Sequence, residues 1–125
     1  MKYSVIGALA FMTMFGYAQN KTTMKKATSV EMVIFKPKKN VSKEQLMQAM
    51  RATNEIIKDF DGFISRSTSL NEKGEFLDVV YWENKALALA AAQKVQEIPM
   101  VMNNFALIDP QSIKMEHFDI FAIQE

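Results

Sequence analysis

Cysteine is absent from the 125 residues, which excludes disulfides, cysteine-ligated zinc, iron–sulfur clusters, thiol catalysis and lipid attachment at a cysteine. Histidine and tryptophan occur once each, as His117 and Trp82. The sequence has no glycine-rich phosphate loop and no H-E-x-x-H. Neither sign of charge dominates: 15 Lys and Arg stand against 14 Asp and Glu. That near-balance argues against a protein drawn to nucleic acid or anionic membrane by long-range attraction. The length supports one domain with one modest core and is too short for two.

Long apolar stretches are scarce as well. The one uncharged run at the start of the chain, Val5 to Tyr17, follows the positive start Met1-Lys2. Gly16-Tyr17-Ala18 then puts small residues at positions −3 and −1 of a cleavage site before Gln19, the layout of a secretory signal peptide. A membrane-spanning helix needs about 20 apolar residues, and this run is shorter and broken by Gly7, Thr13 and Gly16. The predicted organisation is a signal peptide at 1–18, a flexible polar leader at 19–27 and a folded domain at 28–125. Export to the periplasm or the medium is expected, with no stable membrane insertion after cleavage. Lys2 is the only charge removed with the signal, so the exported chain is neutral.

The folded domain reads as two β-α-β halves. Residues 29–36 alternate weakly and are apolar on both sides, as in a covered central strand ended by Pro37. Val41-Ser42-Lys43-Glu44-Gln45-Leu46 carries a full helix start: Ser42 as N-cap, Gln45 as capping-box partner, and Val41 with Leu46 as hydrophobic staple. Leu46, Ala49, Met50, Thr53, Ile57 and Phe60 follow at helical spacing, with Gly62 at the position of a left-handed cap. Two strands, 63–70 and 76–82, flank the turn Asn71-Glu72-Lys73-Gly74. Asn84 caps an alanine-rich helix over 85–98 that stops at Pro99. A further helical turn over 100–108 and a last strand over 113–123 complete the chain. This order names an α+β fold of the ferredoxin-like split β-α-β class, an antiparallel four-stranded sheet with helices on one face.

Strand alternation sorts the side chains. Leu77, Val79 and Tyr81 form the more apolar side of the third strand and are expected to meet the helices, with Val30, Met32 and Ile34 of the first strand. Phe63 is expected helix-ward and Ile64, Arg66 and Thr68 on the opposite face. Glu31, Val33 and Phe35, with Asp78, Val80 and Trp82, then fall on that opposite face as well. That face is too apolar to stay wet, so a second copy is expected to cover it, sheet against sheet, giving a homodimer.

Gly62-Phe63-Ile64-Ser65-Arg66, then Glu75-Phe76-Leu77-Asp78-Val79-Val80-Tyr81-Trp82-Glu83-Asn84, then an alanine-rich helix, resembles the antibiotic biosynthesis monooxygenase-like superfamily over roughly residues 28–123. The resemblance implies a dimeric α+β barrel. It also implies either a cofactor-independent monooxygenase acting on a flat oxygenated substrate or a member without turnover. Haem-degrading members typically have an Asn on strand one, a Trp closing strand three and an iron-ligating His near the second helix. Here Trp82 matches, strand one offers Met32 or Val33 at that place, and residues 85–108 hold no His, so no haem and no other cofactor is expected. RNA-recognition domains share the element order, but their aromatic strand signature is missing, so no nucleic-acid partner is expected either.

The candidate site is an apolar cup, placed between the two sheets of the dimer and lined by Glu31, Phe35, Arg66, Asp78 and Trp82, with His117 as candidate catalytic residue. Arg66 and Asp78 read either as an ion pair orienting a carboxylate, phenolate or enolate, or as a cross-strand bridge that holds register. His117 reads as a general base preparing a carbanion for oxygen, or as a hydrogen-bonded core residue. Trp82 and Phe35 would stack on a flat ligand, or simply pack. Glu31, Asp78 and His117 share no ligand-type spacing, and no metal is expected.

Overall fold

The capping box forms as the sequence dictates: Gln45 N–H donates to Ser42 Oγ at 3.1 Å and Ser42 N–H to Gln45 Oε1 at 3.0 Å. It starts helix α1, Lys43–Ile57, whose Leu46, Ala49, Met50, Thr53 and Ile57 are buried. The computed structural model describes Met24 and residues 26–125. The expected signal peptide and most of the leader lie outside the described residues. Strand β1, Ser29–Phe35, precedes α1; β2, Phe63–Leu70, and β3, Phe76–Trp82, follow it. Helix α2, Lys85–Val95, is capped by Asn84, whose Oδ1 accepts from Leu87 N–H at 2.8 Å. Helix α3, Pro99–Phe105, begins on its proline, a residue suited to the first helical turn. A 3₁₀ turn, Pro110–Ser112, leads into β4, Lys114–Asp119. Among the described residues, no helix is long and apolar enough to cross a membrane.

The sheet order is β2-β3-β1-β4, antiparallel throughout, which is the expected ferredoxin-like α+β arrangement. Several boundaries differ from expectation for physical reasons. Helix α2, expected to reach residue 98, ends at Val95 because Gln96, Glu97 and Ile98 tighten into turns that bond three residues back, and α3, expected over 100–108, spans Pro99–Phe105. Strand β4 ends at Asp119 because its partner there, Ser29, is the first residue of β1. Helix α1 ends on right-handed Lys58, so Gly62 is not its cap. Gly62, at φ +82°, is instead the left-handed residue of the turn into β2, where it lies against Leu87.

The expected faces are inverted. Phe76, Asp78, Val80 and Trp82 are the buried side of β3 and pack toward the helices, as does Phe35 of β1. Register carries Glu31 and Val33 of β1, and Met115 and His117 of β4, to the same side. Val30, Met32, Ile34, Leu77, Val79 and Tyr81 lie on the opposite, open face. The inversion has a physical cause. Asp78 made its side of β3 look wet, but Arg66 and Thr68 satisfy its carboxylate from the neighbouring strand, so that side can be buried. On β2, a register shift between Phe63 and Ser65 inserts Ile64 as an extra residue. Phe63 and Arg66 therefore share the helix side, which strict alternation forbids.

The core has two parts. Phe35, Leu46, Ala49, Met50, Phe76 and Ile108 form one; Ile57, Phe60, Val80, Trp82, Ala88 and Ala91 form the other. Phe35 stacks on Phe76 with ring centroids 5.4 Å apart, and Trp82 meets Phe63 edge-on at 5.8 Å. Asn104 Nδ2 donates to Thr53 Oγ1 at 3.0 Å, fastening α3 to α1.

Candidate functional site

A cavity of about 240 Å³ lies between the sheet and the helices of one chain. Its lining draws on both core clusters: Val33, Phe35, Val80 and Trp82 from the sheet, Met50 and Ile57 from α1, Ala88, Ala91, Ala92 and Val95 from α2. The small alanines that favour the helix also leave room for the cavity beside the sheet. For scale, an engineered cavity of ~150 Å³ in another protein holds benzene. This one accommodates a larger flat molecule than a single ring.

The cup expected between two sheets is therefore within each chain, on the helix side. Its residues are nonetheless the expected ones: Glu31, Phe35, Arg66, Asp78 and Trp82 all line it. His117 does not; it stands on β4, behind Glu31. Glu31, Asp78 and His117 do not gather as metal ligands, and no such group of three occurs among the described residues.

Sheet register assembles the polar wall. One row across the sheet reads Arg66, Val80, Glu31, His117; the next reads Thr68, Asp78, Val33, Met115. Arg66 and Asp78 are thus diagonal neighbours, and Arg66 Nη2 donates to Asp78 Oδ2 at 2.6 Å. Thr68 Oγ1 donates to the other carboxylate oxygen at 2.6 Å. Arg66 Nη2 also approaches Met50 Sδ at 3.7 Å. The Arg66 side chain is only 2% exposed and that of Asp78 11%, so this pair is desolvated.

Among the described residues, two guanidinium nitrogens of Arg66, Nε and Nη1, have no acceptor, and neither does Nε1 of the buried Trp82. An unpaired buried donor costs about 1–3 kcal/mol. Three of them beside one cavity mark a place for acceptor oxygens. Glu31 accepts from His117 Nε2 at 3.2 Å. Burial raises the Glu31 carboxyl pKa above its ordinary 4.5; Asp78 pushes the same way, while His117 and Arg66 pull it back.

Sequence reasoning missed the roles of Thr68 and Met50 and the Glu31–His117 contact. Thr68 was findable, because it lies two residues from Arg66 on the same strand face. The Glu31–His117 pair joins residues 86 positions apart, and only the register of β4 on β1 reveals it.

No protein-family model matches the chain, and no curated protein matches it in sequence. Solved structures do match. A monooxygenase from the ActVA-Orf6 gene of Streptomyces coelicolor, in complex with nanaomycin D, superposes with a TM-score of 0.61 at 12% identity, covering 81% of this chain and 94% of that one. SnoaB, a cofactor-independent oxygenase from Streptomyces nogalater, gives 0.58 at 16% identity, covering 79% and 97%. A dimeric ferredoxin-like protein from an uncultured marine organism gives 0.59 at 10% identity, covering 82% and 95%. The likeness to antibiotic biosynthesis monooxygenases holds as a likeness of fold.

Proposed function

We propose that this protein is an exported, homodimeric, monooxygenase-like domain whose cavity oxygenates a flat ketone or phenol with dioxygen and without a cofactor. The carrying observation is the apolar cavity whose wall presents a buried, immobilised Arg66 with two unused N–H donors. A cation so held would stabilise an enolate or phenolate oxygen more strongly than water does. In the reaction, a CH₂ carbon beside the stabilised oxygen loses a proton and its electron pair attacks dioxygen. One oxygen atom stays on the carbon as a carbonyl and the other leaves as water, so R₂CH₂ and O₂ give R₂C=O and H₂O. Trp82 N–H would complete the acceptor site, and Phe35 and Val80 would face the rings. The fold shared with SnoaB and the ActVA-Orf6 monooxygenase supports this reading.

The homodimer belongs to the same proposal, through a different face from the one first expected. The open side of the sheet carries an apolar stripe on its two central strands, Val30, Met32 and Ile34 with Leu77, Val79 and Tyr81. Polar residues edge it, Ser67 and Ser69 on β2 and Lys114 and Glu116 on β4. An apolar centre with a polar rim is the anatomy of a protein interface.

The test uses protein recovered from the exported fraction, with its N-terminus expected at Gln19. Oxygen uptake and Trp82 fluorescence are followed with a panel of quinols, flavonoid-like aromatics and 2-tetralone, a bicyclic ketone with an acidic CH₂. Fluorescence change with oxygen consumption, both weakened in Arg66→Met, supports the oxygenase. Binding without oxygen consumption reduces the protein to a ligand carrier, and no response from any compound overturns the cavity reading.

A further inference from the structure

The only histidine is the obvious candidate base, but it does not reach the cavity. Glu31 does. It lines the cavity in the same row of the sheet as Arg66, with Val80 between them, while His117 meets it from the outer strand β4. A carboxylate only accepts hydrogen bonds, so His117 Nε2 donates across the 3.2 Å contact to Glu31 Oε1. That contact occupies one carboxylate oxygen, and among the described residues Oε2 has no hydrogen-bond partner.

Resting on the cavity of the oxygenase reading, we propose that Glu31 is the catalytic base that takes the proton from bound substrate, and that His117 is a positioning residue that holds it. The substrate C–H bond breaks, its electron pair stays as an enolate whose oxygen lies at Arg66, and the proton moves to Glu31. After dioxygen has added to the carbon, Glu31 returns that proton to the terminal oxygen to give a hydroperoxide. The second C–H bond then breaks, its electron pair forming the C=O bond as the O–O bond cleaves, and that hydrogen joins the departing hydroxide, which leaves as water. No net proton is gained or lost, and the oxidant is dioxygen.

The surroundings fit a base. The charged groups acting on Glu31 are His117 from β4, Arg66 from β2 and Asp78 from β3, while α1, α2 and α3 contribute only apolar lining. Burial makes the carboxylate more basic than an exposed one, as proton abstraction from carbon requires. Arg66 lines the same cavity from the same row of the sheet, on the side where the charge that the base creates would be held.

The experiment separates proton abstraction from oxygenation. Exchange of the acidic CH₂ hydrogens of 2-tetralone is followed in D₂O under argon by mass spectrometry, with binding read from Trp82 fluorescence. In Glu31→Gln, binding persists and exchange falls by about a hundredfold or more. In His117→Ala, exchange falls by about tenfold, and in His117→Gln, which keeps an N–H donor, most of it returns. The wild-type rate declines as pH drops through a Glu31 pKa above 4.5, because only the ionised carboxylate is a base, and Glu31→Gln lacks that decline. Wild-type exchange retained in Glu31→Gln overturns the assignment of the base. Equal impairment in His117→Gln and His117→Ala overturns the positioning role. Exchange without oxygen uptake upholds Glu31 as base and sinks the oxygenase instead.

Discussion

Asp78 accepts from Arg66 on one oxygen and from Thr68 on the other, which is why a carboxylate sits stably against a helix layer. Removing one partner of such a buried pair is far worse than removing both, because the remaining charge has neither water nor counter-ion. Asp78→Ala is therefore expected to destabilise by about 3–5 kcal/mol in urea unfolding. The double variant Arg66→Met with Asp78→Leu should recover most of that loss while ligand binding disappears. A double variant as unstable as Asp78→Ala would mean that the pair itself supports the fold. Either result resolves the two readings that the residues left open, register clamp or ligand contact. Both partners were legible in the sequence. Their orphaned donors were not, since an unmade hydrogen bond has no sequence signature.

At the scale of elements, the local chemistry was read with few errors. The capping box on α1, the Asn84 cap on α2 and the Asn71–Gly74 turn form as their residues require, because each depends on contacts within five positions. Asn71 Oδ1, for example, accepts from both Lys73 and Glu75 N–H. The two glycines of the folded domain permit a controlled comparison. Both have φ +82°, but a Cβ on Gly62 would lie 2.5 Å from Leu87 Cδ1 and 2.7 Å from its Cβ, whereas Gly74 has nothing within 4 Å. Gly74→Ala should cost about 1 kcal/mol or somewhat more from backbone strain alone. Gly62→Ala should cost about 1–3 kcal/mol beyond that from overpacking, since the Leu87 Cβ cannot swing away. Equal midpoints in urea would show that α2 shifts freely against the β2 turn.

For the molecule as a whole, the decisive quantity is which side of the sheet the helices cover. With the helices over Phe35, Phe76 and Trp82, the stripe centred on Met32 and Val79 is left half-buried, Phe118 is exposed and Phe121 is 100% exposed. Static light scattering of the wild type at micromolar concentration is expected to give a dimer. Val79→Lys places a charge at the centre of that stripe and should give a folded monomer with unchanged far-ultraviolet circular dichroism. A monomeric wild type contradicts the proposed interface. The cavity lies within one chain, so that monomer should still bind 2-tetralone; loss of binding would mean that the partner helps shape the site.

The sequence by itself determined the elements, their order and the ferredoxin-like class, and it singled out Arg66, Asp78 and Glu31 as the charged groups of the sheet interior. Those properties depend on periodicity, caps and turn residues, which act over a few positions. Tertiary structure decided which face is inside and hence where the cavity lies. Both sides of β1 and β3 are apolar, so local hydrophobicity does not choose between them. The choice turns on Arg66 neutralising Asp78 from the next strand, on Ile64 shifting the alternation of β2, and on Glu31 meeting His117, 86 positions away in the chain, on the adjacent strand. Each is a contact between strands, and each decides whether a charge can be buried.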